Sequence, residues 1–268
     1  METRRVLVTG ASSGLGREMA LQLARAGCRV AITGRRKDKL DETARLMKEA
    51  GAAQTLAFVE DVTDPAAVKR DYESIRASWE GLDWAILNAG VGDSSNARTF
   101  SAENVRWTFA TNVFGIANWM EALIPDMIAR GSGTIAGISS VAGARGLPNS
   151  GAYSASKAAV NALLESARVD LRGTGVNIVT VCPGFVKSEM TDRNDPSDMW
   201  FLLEVEDGAR RILDGIAASR RIVHFPWPLS VPTLYLLPLL PGWLYDRIGA
   251  RIKRRKKPYI DQSASRSS

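Results

Sequence analysis

The sequence predicts an α/β fold, a doubly wound parallel seven-stranded sheet with helices on both faces, followed by a C-terminal hydrophobic and basic appendage. Three observations carry that expectation. Short β-branched runs alternate with amphipathic stretches of helix length. The runs are mainly apolar rather than alternating, as expected of strands buried on both faces. No linker interrupts residues 1–225, so one large domain is expected there.

Taken in order, the strand Arg5–Val8 is followed by the helix Leu15–Ala26, and Arg29–Thr33 by Lys37–Ala50. Gln54–Val59 precedes Ala66–Trp79, and Trp84–Leu87 precedes the long stretch Ala102–Arg130. Pro125 is expected to bend or end that helix, because proline removes an amide donor and clashes with the preceding turn. Thr134–Ile138 leads to Ala152–Arg172, Asn177–Val181 to Val205–Ala218, and Arg221–Phe225 closes the series. Strand–helix alternation of this kind folds as right-handed crossover units.

Composition removes several function classes. With two cysteines (Cys28 and Cys182), no CxxC pair and one histidine (His224), neither a metal site nor a disulfide scaffold is expected. The cysteines are read as small packing residues, and His224 as packing in or beside the last strand. Of 35 Lys/Arg and 29 Asp/Glu, eight bases and one acid lie from Arg247 onward, leaving 27 bases against 28 acids before it. The net charge of +6 therefore belongs to the tail, and no nucleic-acid partner is expected. The apolar run Val6–Val8 is far short of the roughly seven residues a secretory signal needs, so a cytoplasmic location is the expectation.

Thr9-Gly10-Ala11-Ser12-Ser13-Gly14-Leu15-Gly16 leaves the first strand and opens the first helix. Glycines there permit a tight turn and close approach of backbone to a pyrophosphate seated on the helix N-terminus. The second strand runs into Thr33-Gly34-Arg35-Arg36-Lys37 with no acid before Asp38. A carboxylate there would accept from a ribose 2′-hydroxyl, whereas Arg35 offers a planar fork to a 2′-phosphate. NADP(H) is thus expected in preference to NAD(H). Tyr153 and Lys157 stand four apart, on one helical face. Ser140 follows the fifth strand, near the carboxyl edge of the sheet, where ligands bind. A phenol with a pKa near 10 is a poor base at neutral pH, and an adjacent ammonium is expected to lower it. That makes Tyr153 a candidate general acid/base, with Ser140 to stabilise developing charge on a substrate oxygen.

These residues together resemble the short-chain dehydrogenase/reductase family, with its single Rossmann-type domain, over residues 3–225. The resemblance rests on the TGxxxGxG turn (Thr9–Gly16), Asp61-Val62, Asn88-Ala89-Gly90, Asn112 within Asn-Val-Phe-Gly, Ser140, Tyr153, Lys157 and Pro183-Gly184. It implies a catalytic set of Asn112, Ser140, Tyr153 and Lys157: Tyr153 exchanging the proton, Ser140 orienting the carbonyl or alcohol, Lys157 holding the nicotinamide ribose, and Asn112 anchoring a water relay. It implies cofactor contacts from Gly10, Ser12, Gly14, Leu15, Gly16 and Arg35, from Asp61 and Val62 beside adenine, and from Asn88, Ala89 and Gly90 near the ribose. Pro183, Gly184, Val186 and Ser188 would border the nicotinamide; Ser188 replaces the family's usual threonine but keeps its hydroxyl. Ser13 stands where some NADP-dependent members have a base, which leaves Arg35 as the expected phosphate ligand.

The loop after Gly184 carries Met190, Met199, Trp200, Phe201, Leu202 and Leu203, an apolar lid, so the expected substrate is a hydrophobic carbonyl or alcohol. Trp107 and Trp119 are read as core or subunit-interface anchors, and the small residues of Ala152–Ala167 suit the homodimer that the resemblance implies. Residues 226–245 carry no charge but five prolines, and precede the polybasic Arg251–Lys257. Three uses stand open for this 226–257 extension: packing on the cleft or a subunit, peripheral contact with a membrane, or a true span. Residues 258–268 are expected to form a disordered tail. The expected function is NADP(H)-dependent hydride transfer between nicotinamide and a carbonyl/alcohol pair. The alternatives are an NAD-dependent alcohol dehydrogenase of the same fold, and a non-catalytic NADP(H)-binding sensor or membrane-associated scaffold.

Overall fold

A computed structural model describes residues 3–92, 96–192 and 199–250. Seven parallel strands form one sheet: β1 (Arg5–Val8), β2 (Arg29–Gly34), β3 (Gln54–Val59), β4 (Trp84–Leu87), β5 (Gly133–Ile138), β6 (Val176–Pro183) and β7 (Ile222–Phe225), in the order β3-β2-β1-β4-β5-β6-β7. β1 is the pivot, with Val6 opposite Val30 of β2 on one side and Trp84 of β4 on the other. The chain winds outward in both directions from β1 and β4, so their carboxyl ends open a crevice between diverging crossovers.

Why the strands read as continuous apolar runs is visible in the two cores. Val6, Val8, Val30, Ile32, Ile86 and Val181 face α1 (Gly14–Arg25), α2 (Lys37–Glu49) and α7 (Val205–Ala217), meeting Met19, Leu23, Leu40, Met47, Ile212 and Ile216. The alternate positions Leu7, Ala31, Ala85, Leu87, Ile135 and Ile178 face α3 (Pro65–Trp79), α5 (Gly115–Arg130) and α6 (Gly151–Asp170), meeting Ile75, Trp79, Trp119, Leu123, Val160 and Leu164. Local signals set the starts. Asp64 accepts from the amides of Ala66 and Ala67, with Pro65 as the first helical residue of α3.

The stretch expected as one helix over Ala102–Arg130 is instead α4 (Ala102–Phe109), a wide π turn over Ala110–Phe114, and α5. It does not end at Pro125, which sits inside α5. The pattern of burial gives the reason for the wide turn. Asn104, Thr108, Asn112, Ile116, Trp119, Leu123 and Met127 are all buried, and they recur mostly every fourth residue, slower than the α-helical period of about 3.6. One turn with an extra residue absorbs the excess and keeps all seven inside.

Beyond β7 the chain folds as α8 (Trp227–Val231), a π turn over Pro232–Leu236, a 3₁₀ turn over Leu237–Leu239, and α9 (Gly242–Gly249). The span reading is thereby corrected: among the described residues no helix is long and apolar enough to cross a membrane. Prolines at 228, 232, 238 and 241 break the segment into pieces. Arg251–Lys257 and residues 258–268 lie outside the described residues.

Candidate active site

The glycine turn is built to closer tolerances than any side chain would allow. Gly10 has φ +66°, and a Cβ there would lie 2.8 Å from Cα of Ala89. At Gly16 a Cβ would come within 2.4 Å of the Gly10 carbonyl oxygen and 2.5 Å of Asn88 Nδ2. Thr9 fastens the turn to the end of β4, its hydroxyl accepting from the amides of Asn88 (2.9 Å) and Ala89 (3.0 Å). Asn88 Nδ2 returns a bond of 3.0 Å to the Thr9 carbonyl. The sequence marked Thr9 only as the start of a motif; its latching role needs the β1–β4 pairing to be seen. Ser13 precedes α1 without capping it through its side chain, and the first turn of α1 carries no acid. Such an N-terminus fits the pyrophosphate of a dinucleotide.

At the end of β2, a Cβ at Gly34 would sit 2.3 Å from Ser12 Oγ, so Ser12 fills the space where an acidic side chain would start. Arg35 and Asp61 lie 3.9 Å apart across the exits of β2 and β3. The guanidinium that touches the glycine turn belongs to Arg36, which donates to Ser13 Oγ (2.7 Å) and to Glu189 (2.7 Å). Lys39 also pairs with Glu189, and the two cations, Lys39 first, hold its carboxyl down to about 2. Sequence reasoning passed over Arg36 and Glu189 because they are 153 residues apart. Ser188, adjacent to Glu189, lies against the turn: a Cβ at Gly14 would be 3.2 Å from its Cβ. Val186 and Leu15 meet over Gly208, while the Val62 carbonyl accepts from Asn118 (2.9 Å) and Asp61 accepts from the Thr63 amide (2.9 Å).

Ser140, Tyr153, Lys157 and Asn112 converge at the carboxyl ends of β4, β5 and β6. Ser140 lies just past β5; its hydroxyl accepts from the Ala142 amide (3.1 Å), reaches the Pro183 carbonyl (3.4 Å) and hydrogen-bonds the Tyr153 phenol. Lys157 is 3% exposed, and its ammonium lies 5.6 Å from the Tyr153 ring centre while donating to the Ile138 carbonyl (2.8 Å). Asn112, on the π turn, is fixed on both sides of its amide: Oδ1 accepts from Val91 N (2.8 Å), and Nδ2 donates to the Val91 carbonyl (2.9 Å) and Ser156 Oγ (3.0 Å). A Cβ at Gly90 would be 3.3 Å from Asn112 Oδ1 and 3.6 Å from Lys157 Nζ, which joins the Asn88–Gly90 strand exit to this cluster. Gly92 lies over the Tyr153 ring in the same way, beside Met190.

One electrostatic expectation is corrected. Burial pushes the Tyr153 phenol above its ordinary value; the Ser140 hydrogen bond opposes that shift but does not overcome it. Burial also pulls the Lys157 ammonium down to about 8, with Cys182 beside it. Lys157 is buried and Tyr153 partly so, and in this geometry desolvation outweighs the attraction expected between ammonium and phenolate.

Comparison with known proteins bears on the family and the fold. Residues 4–198 match the family model described as short chain dehydrogenase. The chain belongs to that family. It is 46% identical over 255 residues to an uncharacterised oxidoreductase of Myxococcus xanthus, covering 94% of this chain and 99% of that protein. It is 35% identical over 191 residues to a 3-oxoacyl-acyl-carrier-protein reductase of Staphylococcus aureus, covering 71% and 77% of the two chains. A Burkholderia phymatum short-chain dehydrogenase/reductase crystallised with NAD shares the fold at a TM-score of 0.79 and 24% identity, over 96% of this chain and 98% of that one. This short-chain dehydrogenase is thus an oxidoreductase of the CH–OH/C=O type on a Rossmann-like sheet.

Proposed function

We propose that this short-chain dehydrogenase reduces an apolar carbonyl compound with NADPH, with Tyr153 giving the proton. The observation that carries the reading is the convergence of Ser140, Tyr153, Lys157 and Asn112 beside the glycine turn at the β1/β4 crevice. A bound nicotinamide dinucleotide supplies the hydride. The α1 N-terminus and Gly10–Gly16 would hold its pyrophosphate, Asp61, Val62, Asn88 and Gly90 its adenosine part, and Pro183, Gly184, Val186 and Ser188 its nicotinamide part. Tyr153 stays protonated because burial disfavours the phenolate, so it is poised as an acid at neutral pH. Ser140 holds the substrate oxygen while charge develops on it. Below pH about 8 Lys157 keeps its proton, and Asn112 orders the backbone at Val91 beside it.

The preference for NADP(H) is supported by Arg35, Arg36 and Lys39 at the end of β2, where Gly34 leaves no carboxylate for a ribose 2′-hydroxyl. NAD(H) is the second reading, favoured by Glu189 and Asp61, carboxylates that already face Arg36, Lys39 and Arg35. An apolar substrate is supported by Met190 near Tyr153 and by exposed Trp200, Phe201 and Leu202 on the segment that Val186 pins through Leu203. The test is initial-rate kinetics with NADPH and NADH on carbonyl compounds of rising chain length. Wild type should favour NADPH and longer chains. Tyr153→Phe should bind NADPH unchanged by fluorescence titration and lose about a hundredfold or more in kcat. Unchanged kcat refutes the role of Tyr153.

A further inference from the structure

We propose that residues 226–250 form a docking surface for an anionic lipid bilayer. Between Phe225 and Asp246 no side chain is charged. The inner side of this segment is fixed to the domain: the His224 ring meets Ser230 Oγ (2.8 Å) and stacks edge-on with Tyr235, and Leu229 abuts Gly184. Arg145 donates to the carbonyls of Leu237 and Leu240 (2.8 Å each) and lies over the Tyr245 ring, whose hydroxyl donates to the Gly146 carbonyl. Among the described residues, several large apolar side chains of this segment are left open to water. Trp227, Leu239 and Trp243 are 73%, 77% and 70% exposed, and Leu236 is about half exposed. An open apolar groove of about 240 Å³ runs between Pro232, Thr233, Leu236, Leu237 and Leu240. Large apolar side chains turned to water in one charge-free run mark an interaction surface.

What covers that surface follows from charge and backbone. The segment is broken at prolines, so its free carbonyls and amides suit the headgroup boundary and not the hydrocarbon interior. Eight Lys/Arg follow from Arg247 onward against the single Asp261, while the preceding chain is nearly neutral. A second copy would bring an equal basic run against this one; anionic headgroups complement it. The inference uses the shape and charge of the extension and does not rest on the redox reading.

Purified full-length protein is mixed with vesicles of phosphatidylcholine alone, or with about 30% phosphatidylglycerol, and sedimented. Co-sedimentation with the anionic vesicles should exceed that with the neutral ones at least about tenfold and fall with salt. The double substitution Leu239→Ser/Trp243→Ser, at exposed positions, should cut anionic binding about tenfold with an unchanged melting temperature. The triple substitution Arg254→Gln/Arg255→Gln/Lys256→Gln tests the charge independently and should do the same. The proposal is overturned if anionic vesicles do not retain the protein, or if both variants bind like wild type. It is equally overturned if the double variant instead abolishes a dimer seen by sedimentation equilibrium, which would assign the surface to a second copy.

Discussion

At the scale of single residues, the guanidinium at the end of β2 that touches the glycine turn is that of Arg36, bonded to Ser13 and Glu189, whereas Arg35 faces Asp61. To take a 2′-phosphate, either guanidinium would first have to release a carboxylate, Glu189 for Arg36 and Asp61 for Arg35. Removing a charge-assisted contact costs about 1.5–3 kcal/mol, which is roughly ten- to a hundredfold in affinity. Arg35→Ala and Arg36→Ala should each raise KM for NADPH by about that factor and leave KM for NADH nearly unchanged. Glu189→Gln should lower KM for NADPH, since its competing charge is gone. Steady-state kinetics with both dinucleotides checks all three, and equal effects on the two cofactors would remove these residues from phosphate recognition. The basic run at the end of β2 was legible in the sequence. Which of its members points where was not, because that depends on Glu189 arriving from the far side of the crevice.

At the scale of elements, β3, α3 and α5 meet over a buried pair of acids. Glu60 and Asp71 are 3% and 4% exposed, and each has a carboxylate oxygen without another partner. Glu60 accepts from Trp119 Nε1 (3.2 Å), and Asp71 accepts from Arg70 (3.2 Å). Burial and the neighbouring Asp71 push the Glu60 carboxyl up to about 8, so the proton stays on Glu60 and is shared with Asp71. A folded-state pKa above the unfolded value gives stability that is complete below pH about 4.5 and is lost as pH rises through about 8. Glu60→Gln, neutral at every pH, should flatten the melting temperature between pH 5 and 8.5 relative to wild type; parallel curves for the two proteins would count against the shared proton. Nothing in the sequence foretold this pair, because an acid at a strand exit and one on a helix both read as solvated. The doubly wound parallel sheet was easier, since alternating apolar runs and helix-length stretches, with crossover handedness, constrain it strongly. Pro125 was expected to bend or end the helix because proline is an obvious irregularity, and it does not end it; the wide turn at Ala110–Phe114 was not expected, since a drift in the buried period is seen only when burial is known.

Across the whole molecule, the domain and the C-terminal segment are coupled through Arg145, which lies on the loop between Ser140 and Tyr153. One side chain caps two carbonyls and stacks on Tyr245, so the loop carrying the candidate catalytic groups shares its anchor with the extension. Arg145→Ala should speed limited proteolysis within 226–250 and raise KM for carbonyl substrates several-fold, while leaving cofactor affinity unchanged; unaltered proteolysis would show that the two parts are independent. The sequence disclosed that the extension was apolar and basic, but its attachment point was hidden, since Arg145 and Leu240 are 95 residues apart.

The wide turn at Ala110–Phe114 fixes the length of the chain there. Deleting any one of its residues would let ordinary α-helical bonding run straight through, and a secondary-structure measurement would register little change. Yet everything upstream would swing by about 100°, carrying Asn104 and Thr108 out of the interior while Trp119 kept its place. The helix tolerates no change in the number of residues at this turn.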